Sequence, residues 1–429
     1  MTIHSLHLIR DRRFGPFFWV QALGAFNDNL FKQTILLWIA YRLSTHQALV
    51  LNLAAGIFIL PFFLLSIPGG RLADRHEKAG LIRAIKLLEV LIMLFGAWAI
   101  VQQSLVPLLV LLGLMGAQSA LFGPVKYAIL PQHLRPDELM AGNAWVEAGT
   151  FLAILSGTMC AGFLFDLSDG PWLIAAGVVL VALAGFAVST RIPEAPASDP
   201  SLPVSWHPFR GLGNLVRDAR GQPVVWYGVL GISLFWFMGA SYLTQFNLYT
   251  RHYLGGEAAV ASLLLTLFSV GIGLGAALAA WISGGKIRAD LVIWGGGGLT
   301  CAGLALVAST PSEVASAVLT IPDMIRAPGM FPVWLSLLLV GISGGLYIVP
   351  LYTLVQHHAE PHERARVIGL NNVLNALFMV ASAVVAIVLI SVMELTLLQY
   401  FVALSLLNGA GVLWLCLRVP AFRRSSGSF

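Results

Sequence analysis

Long apolar runs separated by short polar breaks dominate the chain. They recur at about residues 14–41, 47–68, 81–101, 105–127, 139–165 and 171–190, and again at 223–250, 258–282, 290–309, 333–355, 367–393 and 396–417. Each is close to the roughly 20 residues that carry an α-helix across bilayer hydrocarbon; barrel strands would be alternating segments of about ten. The pattern predicts six spans, a break and six more. The break, 191–222, holds Pro193, Pro196, Pro200, Pro203 and Pro208 among several charges, a composition that does not span a bilayer. Within it Phe209, Leu212, Leu215, Val216 and Ala219 recur at helical spacing, with Arg210, Arg217 and Arg220 off that stripe. This predicts an interfacial amphipathic helix, with a plain loop as the alternative. The expected organisation is an N-terminal half (1–190), a linker (191–222) and a C-terminal half (223–429).

Composition removes the soluble classes. Of 429 residues 58% are hydrophobic and 10% charged, with mean hydropathy +0.83, against about 25% charged in ordinary soluble proteins. The net charge of +5 does not argue for nucleic acid, because the basic residues sit in short loops between spans. Twenty Lys and Arg fall on one side, counting Lys86 with its loop, and only Arg42, Arg251 and Arg326 on the other. The positive-inside rule then places both termini and the linker in the cytoplasm. Met1 to Arg13 lacks a small-residue cleavage site and is not a signal peptide. Cys160, Cys301 and Cys416 lie in apolar runs and read as small buried side chains. His357-His358-Ala359-Glu360-Pro361-His362-Glu363 is rich in potential ligands but reads as a solvated loop, so neither metal nor cofactor is expected.

The two sets of six echo each other. Gly69-Gly70-Arg71-Leu72-Ala73-Asp74 ends the second run, and Gly284-Gly285-Lys286-Ile287-Arg288-Ala289-Asp290 ends the eighth. Gly116, Leu121, Phe122, Tyr127, Pro136 and Glu138 are answered 225 residues later by Gly341, Leu346, Tyr347, Tyr352, Pro361 and Glu363. Chance likeness of apolar sequence does not account for matching charges and prolines at loop positions. Parallel six-helix repeats are the arrangement of two transporter halves around a central cavity.

The loop Gly70-Arg71-Leu72-Ala73-Asp74-Arg75-His76-Glu77-Lys78 resembles the cytoplasmic signature of the major facilitator superfamily, G-x-x-x-D-R-x-G-R/K, with Glu77 where a second glycine is expected. The fold expected is therefore an all-α polytopic membrane protein of the major facilitator type, with 12 transmembrane helices in two pseudo-symmetric halves. By that resemblance Gly70, Asp74, Arg75 and Lys78 form a cytoplasmic gate. Glycine lets helices approach, and an aspartate at a helix end accepts from a neighbour's N–H groups and pairs with arginines.

Ionisable groups inside the membrane cost about 2.5–3.5 kcal/mol each on an insertion scale, so each needs a reason. Asp28 and Lys32 lie one turn apart in span 1 and share a face on which they could neutralise each other. Asn27, Asp28 and Asn29 point about 100° apart, so at least one of them packs against a neighbouring helix. Lys126, near the cytoplasmic end of span 4, either faces inward or snorkels. Asn143 and Glu147 make one polar stripe in span 5, and Lys86 and Glu89 read as a local pair in span 3. Spans 7, 8, 10 and 12 carry no charge away from their ends, and Asn371, Asn372 and Asn375 of span 11 read as helix glue. A cavity charged on one side and apolar on the other suits an amphiphile, its polar head on the first half and its acyl tail on the second.

Gln21 to Lys32 (with Asn27-Asp28-Asn29), Arg71 to Arg75, Pro124-Val125-Lys126-Tyr127 to Leu130 and Leu139 to Glu147 (with Asn143) together resemble the bacterial lysophospholipid transporters of the major facilitator superfamily. They are similar also to the transporter portion of fusion proteins that carry an acyltransferase and an acyl-carrier-protein ligase. The resemblance implies movement of lysophosphatidylethanolamine and related lysolipids from the outer to the inner leaflet of the bacterial inner membrane for re-acylation. It makes Asp28, Asn29, Lys32, Lys126, Tyr127, Asn143 and Glu147 candidate substrate-binding or gating residues. It also implies functional coupling to a cytoplasmic acyltransferase, expected to be a separate protein because the chain ends at Phe429. The expected partners are lysophospholipid and bilayer, and a monomer is expected. The competing readings are a proton-coupled exporter of drugs or other small solutes, in which Asp28 and Glu147 titrate, and a lipid-modifying membrane enzyme.

Overall fold

The structure, a computed structural model, describes residues 7–42, 47–165, 167–312 and 319–423. Each apolar run forms a long helix: α1 (Gly15–Arg42), α2 (Gln47–Arg75), α3 (Lys78–Val101), α4 (Leu105–Ala128), α5 (Leu139–Phe165) and α6 (Gly170–Ser189). After the linker come α7 (Pro223–Tyr253), α8 (Ala258–Ser283), α9 (Leu291–Ser309), α10 (Met330–His358), α11 (Arg364–Ala386, continued by a π-helical stretch Ile387–Val392) and α12 (Leu397–Arg418). Among the described residues eleven helices are long and apolar enough to cross a membrane. The remaining long helix is α1, 28 residues with Asn27, Asp28, Asn29, Lys32 and Gln33 in its middle. Its polar content is what lowers its hydropathy, and the same content makes it the richest candidate site.

Side-chain placement follows the membrane. On α3 the stripe Leu87, Leu91, Leu94, Phe95 and Trp98 is exposed, while Lys86, Glu89, Val90 and Met93 on the opposite face are buried. Lipid solvates the apolar face, so the polar groups turn inward to find partners. Lys86 therefore belongs to the interior and not to the loop with which its charge was counted. Cys301 is exposed on α9, against the expectation that all three cysteines are buried; Cys416 is buried. An apolar thiol on a lipid-facing surface has no need of a protein cover.

The repeat visible in the sequence is a repeat of packing. α1 packs on α5 and α6, α2 on α4, and α3 on α4 and α6; six helices later, α7 packs on α11 and α12, α8 on α10, and α9 on α10 and α12. Contacts between the two sets obey the same rule, α5 against α8 and α2 against α11. Gly116 of α4 lies directly against the Phe58 carbonyl of α2, and its echo Gly341 of α10 against the Phe268 carbonyl of α8. A Cβ at either position would collide with backbone, which is why glycine stands there in both halves.

The linker crosses the end of the bundle that carries most of the basic loops, here called the basic end. Its helix, Leu212–Gly221, buries Leu215 and Ala219 and packs on α7 and α11. Of the apolar stripe, Leu215 and Ala219 are covered by the protein's own helices, while Leu212 and Val216 are half-buried. Phe209 stays exposed. Glu77, the departure from the signature, caps α3 by accepting from Ala79 N and Gly80 N at 2.8 and 2.6 Å, and from linker Ala195 N at 2.8 Å. Burial opposes ionisation of Glu77, yet these three N–H donors and Arg83 hold its carboxyl below its ordinary value of 4.5.

Candidate substrate site and gate

Three layers of polar side chains lie between the helices. The deepest sits about 13 residues into α1, hence about 20 Å from the basic end at 1.5 Å per residue, near mid-membrane. There the Glu89 carboxylate accepts from Lys86 Nζ at 2.6 Å, Asn27 Nδ2 at 3.0 Å and Gln118 Nε2 at 3.2 Å, all four residues being at most 2% exposed. The predicted local pair is thus a hub tying α3 to α1 and α4. Lys86 lies against Gly24 of α1 and over the Phe122 ring at 4.9 Å.

Asp28 behaves otherwise. The pairing expected with Lys32 does not form: no carboxylate lies within 4.0 Å of the Lys32 ammonium among the described residues, and Lys32 Nζ stands 5.2 Å over the Phe58 ring. Asp28 Oδ2 instead accepts from Ser119 Oγ of α4 at 2.6 Å, while its buried Oδ1 has no protein donor. Asn29 turns away and donates to Ala25 O of its own helix at 2.8 Å.

The second layer lies nearer the basic end. Lys126 Nζ does not snorkel; it reaches across to Thr150 Oγ1 of α5 at 2.9 Å, and Thr150 stands 2.9 Å from Gln21 Oε1 of α1. Lys126 likewise has no carboxylate within 4.0 Å among the described residues. Glu147 accepts from Tyr127 OH at 2.6 Å, and the Tyr127 ring stacks on Tyr352 of α10. Asn143 and Gln356 exchange amide hydrogen bonds at 2.7 and 2.9 Å, and Asn143 also donates to Thr353 at 3.3 Å. Lys126, Tyr127, Asn143 and Glu147 are therefore gathered on one seam between α4, α5 and α10.

The third layer closes the basic end. Asp74, at the end of α2, is fully buried and accepts from Ala365 N and Arg366 N, both at 3.2 Å, and from Arg366 Nε at 3.1 Å. Those N–H groups are orphans at the start of α11, where the helix dipole also favours an anion. A Cβ at Gly70 would lie 2.7 Å from the Ala365 carbonyl oxygen, so glycine is what permits this contact. Arg75 and Lys78 act elsewhere. Arg75 donates to Leu202 O at 3.3 Å, and Lys78 to Ser198 Oγ at 2.8 Å and Pro196 O at 3.3 Å, both fastening the linker. In the second half Asp290 pairs with its neighbour Arg288 at 2.5 Å, because α8 ends at Ser283, capped by Gly284 in the left-handed region, and does not carry on to the aspartate.

Sequence reasoning missed Ser119, Gln118, Thr150, Gln356 and Arg366. Tyr352 was within its reach as the repeat partner of Tyr127, and Gln118-Ser119 as a polar pair interrupting an apolar span. The histidine-rich loop does not converge: Glu363 is held by Gln222 Nε2 at 3.4 Å and His362 gives its carbonyl to Arg366 at 2.7 Å.

Beside the polar seam runs an apolar groove of about 230 Å³ between α5 and α8, lined by Ala144, Trp145, Ala148, Leu152, Gly273 and Leu274 among others. Two repeats of six helices, charges buried at mid-membrane and closure at one end define a membrane transporter that works by alternating access.

The comparisons agree. Residues 17–383 match the family model of the Major Facilitator Superfamily, and the chain belongs to that superfamily. It is 27% identical over 356 residues to the lysophospholipid transporter LplT of Serratia proteamaculans, covering 79% of each chain. It is 28% identical over 348 residues to LplT of Cronobacter sakazakii, again over 79% of each. Among solved structures, the human organic anion transporter MFSD10 superimposes with TM-score 0.71 at 16% identity, over 94% of this chain and 99% of that one. The E. coli fucose:proton symporter FucP gives 0.70 at 12% identity, over 95% and 98%. These likenesses establish the fold.

Proposed function

We propose that this protein moves lysophospholipids across the bacterial inner membrane, from the outer to the inner leaflet, by rocking 1–190 against 223–429. The observation that carries the reading is a division among the buried charges. Lys86 and Glu89 neutralise each other. Asp28, Glu147, Lys32 and Lys126 do not, and two anions with two cations match a zwitterionic head group of phosphate and ammonium. A phosphate meets Lys126, and an ammonium meets Asp28 or Glu147, replacing water by paired charges. The acyl tail follows the groove between α5 and α8, lined by both halves and not by the second alone. The names of the curated relatives support the substrate class.

The basic end is the cytoplasmic one by the positive-inside rule, and both termini lie there. The described state is then closed to the cytoplasm by Asp74, Asn143 and Tyr127, with Gly70 allowing the approach. Product lysolipid in the inner leaflet is a substrate for a separate cytoplasmic acyltransferase, and the transporter acts as a monomer. The test is flipping of labelled lysophosphatidylethanolamine by purified protein in liposomes, beside Asp28→Asn, with and without a pH gradient. Flipping that needs Asp28 supports the reading. Near-normal flipping by correctly inserted Asp28→Asn rejects the site, and solute-dependent proton flow without lipid flipping favours a proton-coupled exporter of small solutes.

A further inference from the structure

Trp206 and Phe209 of the linker are 58% and 53% exposed, although the segment that carries them is fastened to the bundle. Arg71 Nη2 donates to Arg210 O at 2.6 Å, and the helix Leu212–Gly221 is held on α7 and α11. The faces of that helix follow one another in a fixed order. Leu215 and Ala219 are buried, Leu212 and Val216 half-buried, and Arg217, Asp218 and Arg220 exposed. At about 100° per residue, Arg220 lies about 40° past Val216, Arg217 about 60° past Arg220, and Asp218 about 100° past Arg217. The helix therefore passes from protein-covered to half-open and apolar, then to basic, and its one acid is turned away from the half-open edge. Arg210, Arg217 and Arg220 have no carboxylate within 4.0 Å among the described residues. Arg220 lies instead over the Trp226 ring of α7 at 5.0 Å. The helix ends at Gly221 and α7 starts at Pro223. The 31 residues of α7 extend about 46 Å against a hydrocarbon core of about 30 Å, so its first turn and the linker helix beside it stand at head-group level.

We propose that linker residues 206–220 dock on the anionic lipid head groups of the cytoplasmic leaflet, with the aromatics and the half-open edge at the acyl boundary and Arg217 and Arg220 among the phosphates. Indole suits that level because it is apolar with one polar N–H, and a guanidinium fork matches a phosphate. Three arginines against one aspartate in this stretch favour an anionic surface over a zwitterionic one. The level of the helix beside the start of α7 favours lipid over a soluble acidic protein. The proposal goes beyond the transport reading and shares with it only the placement of the basic end in the cytoplasm.

The test places a spin label at Gly213→Cys in the full chain carrying Cys160→Ala, Cys301→Ala and Cys416→Ser. Gly213 lies between Arg220 and Arg217 around the helix, and an added Cβ there meets no atom within 4 Å. The protein is reconstituted in nanodiscs of phosphatidylcholine, alone or mixed with phosphatidylglycerol. Phosphatidylglycerol is expected to lower relaxation of the label by a water-soluble nickel chelate and to raise relaxation by oxygen, which concentrates in lipid. Each arginine near an anionic surface favours docking about fivefold, so Arg217→Gln with Arg220→Gln lowers the docked-to-free ratio roughly thirtyfold. Added salt, which screens the charges without altering the chain, acts in the same direction. Equal accessibility to nickel in the two lipids overturns the proposal. So does shielding that survives both salt and the double variant, because the protein's own helices then cover the edge. Shielding gained only on adding cytosolic extract also overturns it, with an acidic protein as the occupant. Substrate takes no part in this measurement; lysolipid flipping by the same preparations tests the transport reading separately, and either can fail alone.

Discussion

Tyr127 and Tyr352 stack with ring centroids 4.1 Å apart and planes 5° from parallel, and they occupy the same place in the two sequence repeats. Symmetry-equivalent residues can touch only at the axis that relates them, so the pseudo-twofold axis passes between these rings. It leaves the bundle at the basic end, through the closed seam. One ring is further fixed by its hydroxyl on Glu147. A stack on the axis must separate when the halves part there, so it opposes opening whichever half is taken as moving.

Tyr127→Ala should therefore favour the form open at the basic end. An aromatic pair contributes about 0.5–1.5 kcal/mol beyond its area, which corresponds to roughly a two- to tenfold change in population. Spin labels on the exposed Gln132 and His357 would show a longer distance gaining weight. Tyr127→Phe keeps the ring and should change the distribution less.

Asp74→Asn should also loosen that end. The amide keeps the shape but removes the charge that Arg366 and the start of α11 hold, and breaking a buried pair by removing one partner costs about 3–5 kcal/mol. The same label pair reads it. An unchanged distance distribution would deny Asp74 a closing role.

The Lys86–Glu89 pair should separate from the open charges by a stability measurement. Glu89→Gln leaves a buried ammonium without its anion, with about 3–5 kcal/mol of destabilisation. Replacing both Lys86 and Glu89 with Met should recover much of it. Thermal unfolding in detergent is the readout, and equal melting of Glu89→Gln and wild type would contradict the hub.

Filling the groove should discriminate by tail length. Ala148 stands opposite Gly273, and Ala148→Phe introduces a ring where α5 and α8 leave space. Flipping of long-chain lysolipids should fall severalfold more than that of short-chain analogues. Equal loss for both would remove the groove from the tail's path.

The linker should release at low pH. Glu77 is held below its ordinary 4.5, so its ionised form favours the folded contact; that stability is full above 4.5 and is lost as pH falls through the lower folded value. Protease cleavage between Ala195 and Gly211 should rise as pH falls below 4.5, with an acid-stable protease as reporter. Glu77→Gln should show the rise at neutral pH.

Spans, repeat and the Gly70–Asp74 spacing were readable because each leaves a one-dimensional trace. Bilayer thickness imposes run length, charge bias imposes loop order, and Gly70 with Asp74 needs only a fixed spacing. Lys126, Asn143 and Glu147 were singled out because polar groups in an apolar helix need a reason, and Tyr127 through the repeat and the family resemblance. What they touch was not readable: Asp28 was expected to meet Lys32, the partner on its own helix, and meets Ser119 from α4 instead. Local spacing shows which groups are able to pair, and a closer or better-held donor from another helix decides which pairs form.

The sequence by itself thus determined a helical membrane transporter with its intramembrane charge concentrated in the first half of the chain, because hydrophobic length and loop charge act on each segment alone. Tertiary structure decided which of those charges are spent and which are open. Lys86 and Glu89 are closed off by Asn27 and Gln118; Asp28, Lys32, Lys126 and Glu147 are not. That division depends on distances of a few ångströms between helices remote in sequence, where a low dielectric makes each contact decisive.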